Sequence, residues 1–103
     1  MFARTMRMQL KPESLSEFTL VMEEEVIPLL RKQQGFADEI DFVRPSGAVA
    51  IGITLWDGKE SADAYQLQVY PEVLKALASV VEGTPRIRSF EVSNSTYHKI
   101  AAR

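Results

Sequence analysis

The sequence predicts an α+β fold of the ferredoxin-like type, βαββαβ, in a single domain spanning residues 1–103. Three observations carry that expectation. Several stretches alternate apolar and polar residues in the period-two manner of a half-buried strand. Two intervening stretches repeat apolar residues at helical spacing. Turn-forming and helix-breaking residues fall at the boundaries between them. A strand–helix–strand crossover is right-handed, and two such units interleave into a four-stranded antiparallel sheet with both helices on one face.

The elements follow in order. "FARTMRMQL" (Phe2 to Leu10) sets Phe2, Met6, Met8 and Leu10 opposite Ala3, Thr5, Arg7 and Gln9, which is a strand with unlike faces. Ser14 and Glu17 then have capping-box spacing, and Leu15, Phe18, Met22, Val26 and Leu29 or Leu30 recur as a helical stripe. Pro28 inside that stripe kinks the helix or shifts its last turn, and Gly35 is its natural stop. "FADEIDFV" (Phe36 to Val43) alternates again, with Phe36, Ile40 and Phe42 opposite Glu39 and Asp41. "RPSG" (Arg44 to Gly47) has turn chemistry and leads into "AVAIGITLW", so the two runs form a hairpin. Asp57-Gly58 opens a short helix reaching about Leu67. "YPEVLKALASVVEG" is a second piece, with Pro71 in its first turn, a stripe of Val73, Leu74, Leu77, Val80 and Val81, and Gly83 as its stop. After Pro85, "RIRSFEVSNSTYHKI" reads as the last strand.

Composition excludes several classes of function. The 103 residues carry a formal charge of −2 with scattered basic groups, so no positive field awaits a phosphate backbone and no nucleic acid is expected. Without cysteine there are no disulfides, thiolate metal sites or cysteine nucleophiles, and one histidine cannot build a multi-histidine metal centre; no metal is expected. No apolar run reaches membrane-spanning length and no signal-peptide core opens the chain, so the expectation is a cytoplasmic protein without a membrane partner.

The third strand speaks to assembly. Its odd positions, Val49, Ile51, Ile53 and Leu55, are aliphatic, and its even positions, Ala48, Ala50, Gly52 and Thr54, are small until Trp56. Neither face is of the water-facing kind, whereas helices cover only one. Burying four aliphatic side chains contributes roughly 1.5–3 kcal/mol each before association costs. A homodimer packed sheet to sheet is expected.

Trp56, the only tryptophan, has two readings. One is a large core residue. The other is the wall of a pocket for a small planar apolar molecule, because the small residues before it leave space beside a flat apolar ring.

The element order, "LLRKQQGF" and "ITLWDGKESADAY" resemble the antibiotic biosynthesis monooxygenase superfamily of dimeric α+β barrels, over essentially the whole chain. That family includes cofactor-independent monooxygenases of polycyclic phenols and quinols, and haem-degrading enzymes. The resemblance implies a pocket between sheet and helices, with Trp56 as a wall and its even-numbered neighbours facing the pocket. The chain also departs from the family. Where catalytic members tend to carry an asparagine on the first or third strand, it has Met6, Met8 and Gly52. Where haem-degrading members carry a helical histidine, its second helix offers Tyr65, Gln66 and Tyr70, which speaks against haem degradation.

The expected function is thus a cofactor-free monooxygenase acting on a small aromatic, phenolic or quinol substrate. The alternative is a non-catalytic dimer of the same fold that binds a small molecule or regulates a partner. The candidate catalytic residues are Trp56, His98 and Asp41. His98 carries an imidazole, the side chain most often used as a base, and Asp41 shares a strand face with Glu39, where burial raises a carboxylate's pKa. The candidate substrate-binding residues are Met6, Met8, Gly52, Thr54, Tyr65 and Tyr70, the two hydroxyls being able to orient a phenol. "EEE" (Glu23 to Glu25) points three ways around a helix and reads as a solvated face. RNA-recognition and acylphosphatase-like domains share the topology. The first lacks its exposed aromatics and basic sheet here, and the second its anion-binding loop.

Overall fold

A computed structural model describes residues 1–98. Strand β1 (Phe2–Leu10) leads into a helical segment made of α1 (Leu15–Val21), a π turn (Met22–Val26) and α2 (Ile27–Arg31). Strands β2 (Phe36–Val43) and β3 (Val49–Trp56) follow, then α3 (Lys59–Gln68), α4 (Tyr70–Leu77) and β4 (Val81–Glu91). The four strands form one antiparallel sheet in the order β2-β3-β1-β4, with the helices on one face. This is the ferredoxin-like arrangement. Among the described residues no helix is long and apolar enough to cross a membrane.

Proline accounts for the π turn. Pro28 has no N–H to give the carbonyl of Glu24, so the ladder upstream widens, and the Ile27 N–H reaches back five residues to the Met22 carbonyl. The wider turn keeps Met22, Val26 and Leu30, four residues apart, in one row against the sheet, each 3% exposed or less. The capping box does not form. Glu13 adopts a left-handed φ of 59°, and Ser14 (φ −102°, ψ 5°) turns its hydroxyl toward the Pro12 carbonyl instead of the helix N–H groups. Gly35 ends the segment with a φ of 81°.

Strand β2 corrects the expected pairing of faces. Opposite Trp56 and Leu55 of β3 stand Phe36 and Asp38, so Ala37 is an extra residue bulged out of the ladder. Phe36 therefore lies on the inner face with Glu39 and Asp41, its ring edge-on to Trp56 at 5.6 Å, and Ile40 and Phe42 lie on the other. The last helix and strand are also redistributed. Helix α4 ends at Leu77, and Val80 and Val81 are buried as a turn and the start of β4, where the Val80 carbonyl accepts the Lys11 N–H. Gly83 (φ 66°) is not a helix stop. It sits in the irregularity where β4 changes register against β1 between Arg7 and Gln9. The strand ends at Glu91, and residues 99–100 of the expected last strand lie outside the described residues.

The core lies between the sheet and the helices. Phe2, Met8, Leu10, Ala50 and Trp56 come up from the sheet to meet Phe18, Met22, Val26, Leu30, Val73 and Leu77. The opposite sheet face is only partly covered, with Ile40, Phe42 and Phe90 at 44%, 54% and 52% exposure. Arg7, Arg86 and Arg88 share that face, Arg7 of β1 opposite Arg86 of β4 and Thr5 opposite Arg88.

Candidate active site

A cavity opens between the inner sheet face and the helices. Met6 of β1, Gly52 and Thr54 of β3 and Ile87 of β4 form its floor, Met22, Val26 and Leu30 one wall, and Tyr65, Tyr70 and Val73 the other. Glu39 of β2 and Arg4 of β1 supply its charged groups. The enclosed part measures about 30 Å³ for the centre of a water-sized sphere, within a recess of about 390 Å³ that includes its mouth. A planar ligand enters only with side-chain movement, and the flexible thioethers of Met6 and Met22 on its lining suit that movement.

Five of the expected binding residues, Met6, Gly52, Thr54, Tyr65 and Tyr70, meet at this cavity. Met8 does not line it; 1% exposed, it is packed in the core beside Gly52 on the same sheet face. Trp56 is fully buried one layer behind the lining. Its ring packs on Tyr65 at 5.0 Å and its indole N–H donates to Thr54 Oγ1 at 3.0 Å, so it reaches the cavity through those two residues. The opposition between wall and core dissolves here: Trp56 is the core residue that holds two wall residues in place.

The row of small residues has a local reason at Gly52. A Cβ there would lie 3.1 Å from Asp41 Oδ1 and 3.2 Å from Glu39 Oε2, so the missing side chain makes room for a pair of carboxyl groups. Both are inner-face residues of β2, two apart, as strand alternation requires. Asp41 Oδ1 is buried without a hydrogen-bond partner from elsewhere in the described residues. Burial, then the charge and hydrogen bond of Asp41, push the Glu39 carboxyl up to about 9. Burial also raises Asp41, opposed by its hydrogen bond with Glu39. Two carboxylates this close do not both ionise readily, so the pair keeps a proton at neutral pH. Burial raises the Tyr65 hydroxyl strongly, with Tyr70 and Glu39 adding to it, and raises that of Tyr70, so both stay protonated.

Arg4 is a cavity residue that the strand pattern signals, since it breaks the apolar even-numbered face of β1. Its guanidinium is already engaged: Nε donates to Ser89 Oγ at 3.1 Å, Nη1 to the Ala62 carbonyl at 2.8 Å and Nη2 to Asp63 Oδ1 at 2.5 Å. Lys59 and then Arg4 hold the Asp63 carboxyl below its usual range. Arg4 thereby ties β1 to α3. His98 lies elsewhere, its Nε2 3.5 Å from Asp38 Oδ2 and its ring against Tyr97, and is not among the residues lining the cavity.

No family model matches the chain, and no curated protein matches its sequence. Solved structures do match its fold. The monooxygenase ActVA-Orf6 of Streptomyces coelicolor, solved with nanaomycin D, aligns with a TM-score of 0.76 at 14% identity, over 91% of this chain and 88% of that one. SnoaB of Streptomyces nogalater, a cofactor-independent oxygenase, aligns with a TM-score of 0.76 at 14% identity, over 92% and 95%. A protein of unknown function from Nitrosomonas europaea, NE2512, aligns with a TM-score of 0.75 at 14% identity, over 92% and 91%. The fold is the one that antibiotic biosynthesis monooxygenases share.

Proposed function

We propose that this protein is a cofactor-independent monooxygenase that oxidises a small phenolic or quinol substrate in the cavity between its sheet and helices. The observation that carries this reading is the carboxyl pair Glu39–Asp41 beside a tyrosine-lined space whose walls are mostly apolar. Such chemistry needs no bound redox group when the substrate itself supplies the electrons. An activated CH₂ and dioxygen give C=O and water, the carbon yielding all four electrons that dioxygen takes. What the protein must supply is a base, an orientation and the exclusion of bulk water.

Asp41 is the base in this reading. It does not line the cavity itself, whereas Glu39 does, so the substrate proton passes to a Glu39 oxygen while the Glu39 proton passes to Asp41. The raised pKa values of both groups bring their proton affinity closer to that of a phenol than an exposed carboxylate's would be. Tyr65 and Tyr70 orient the substrate oxygen, Met6, Gly52 and Thr54 form its floor, and Trp56 stiffens Thr54 and Tyr65 from behind. Met8 supports Gly52, and His98 has no part in the chemistry. The active form is a homodimer joined through the sheet face that carries Ile40, Phe42 and Phe90.

Dioxygen uptake with a panel of quinols and phenols tests the reading. The expected result is uptake that saturates with one substrate class, persists in the presence of a metal chelator, and falls about 100-fold or more in Asp41→Asn, as loss of a general base does. Saturable binding without uptake for every compound would favour the non-catalytic binding protein.

A further inference from the structure

Resting on the proposed function, we infer that Glu39 selects the hydroxyl-bearing, reduced form of the ligand and rejects forms that can only accept hydrogen bonds, such as quinones and aryl ethers. The geometry supports this in three steps. Glu39 is the acidic side chain on the lining, placed where Gly52 leaves space and with Asp41 directly behind it. Two carboxyl groups side by side hold their shared proton best in a hydrogen bond to each other, which uses up their donor and leaves only acceptor lone pairs toward the cavity. Asp41 Oδ1 is already buried without an outside partner, so the pair lacks donors. A ligand O–H supplies one. A quinone carbonyl or a methoxy oxygen in the same place meets lone pairs with lone pairs.

The remaining polar groups do not reverse this preference. Arg4 is the cationic group on the lining, but Ser89, Ala62 and Asp63 hold its three nitrogens toward β4 and α3. Tyr65, Gln66 and Tyr70 come from the helices, and none of their donors reaches Asp41 Oδ1. Selection at Glu39 also gives turnover a direction. A substrate whose activated CH₂ enters as its enol tautomer brings a hydroxyl donor. In the product that C–OH and the former CH₂ carbon are both C=O, so the buried carboxyl pair is then unsatisfied and the product leaves.

Calorimetric titration of the whole protein under nitrogen, with naphthol, methoxynaphthalene and naphthoquinone as probes, tests the inference. Leaving a buried acceptor unsatisfied corresponds to a preference of roughly 10- to 100-fold, so naphthol is expected to bind tighter than either other probe by about that factor. In Glu39→Leu the preference collapses to within about threefold. In Glu39→Gln, whose amide can donate, naphthoquinone gains affinity. Equal binding of the three probes by the unaltered protein would overturn the inference and leave the oxygenase reading standing. Failure of all three to bind would overturn both. The comparison within the unaltered protein needs no variant to fold.

Discussion

At the scale of single residues, the site is organised by groups whose worth depends on what stands beside them. Glu39 holds a proton because it is buried against Asp41, and this has a consequence for stability. In the unfolded chain Glu39 loses its proton near 4.5, and in the fold near 9. Between those values the folded state binds the extra proton, so stability falls as pH rises through that window and levels off above it. The shift of Asp41 acts in the same direction. Urea unfolding midpoints are therefore expected to decline from weakly acidic to alkaline pH, and to decline less in Glu39→Gln. Thr54 is a second case. Thr54→Val keeps the shape but leaves the fully buried Trp56 N–H unpartnered, and denaturant unfolding is expected to register a loss of about 1–3 kcal/mol. The sequence made Trp56, Gly52 and the tyrosines legible because each is unusual where it stands. It could not show that Trp56 lies one layer back, because alternation assigns a face and not a depth.

At the scale of elements, the strands were readable and their irregularities were not. The limits of β1 and β2 follow from alternation. The bulge at Ala37 leaves no mark in an alternating run, yet it decides that Phe36 shares a face with Glu39. Gly83 reads equally well as a helix stop or as a strand irregularity. The pairing of β4 with β1, a contact between distant parts of the chain, decides between them. Pro28 signals a disturbed helix, and the tertiary result is a π turn that aligns Met22, Val26 and Leu30 on the cavity. Gly35 marks where local backbone matters most. With a φ of 81° and no space for a Cβ beside Ser61 and Asp57, Gly35→Ala is expected to cost more than about 1 kcal/mol in denaturant unfolding. Gly52→Ala meets no such backbone strain. Its Cβ crowds the two carboxyl groups, so the cost expected is about 1–3 kcal/mol, together with weaker ligand binding in calorimetry.

At the scale of the whole molecule, one sheet serves two ends. Its inner face carries the cavity, and its outer face carries apolar side chains that a lone copy leaves in water. The aliphatic odd positions of β3 announced that outer face in the sequence, and β2 extends it with Ile40 and Phe42. The proposed dimer makes Phe42, 54% exposed in the single chain, an interface anchor. Phe42→Glu is then expected to weaken association by about 2 kcal/mol or more, read as a shift toward monomer in sedimentation equilibrium. The most direct test of the account as a whole is the emission of Trp56, the only tryptophan, during titration with phenols and quinols in the absence of oxygen. A ligand in the cavity presses on Tyr65 and Thr54, two lining residues that pack against the indole. A saturable change in emission, abolished by filling the cavity with Gly52→Ile, is the result the account predicts. Emission that stays fixed while the same compounds are bound elsewhere, or not at all, would contradict it.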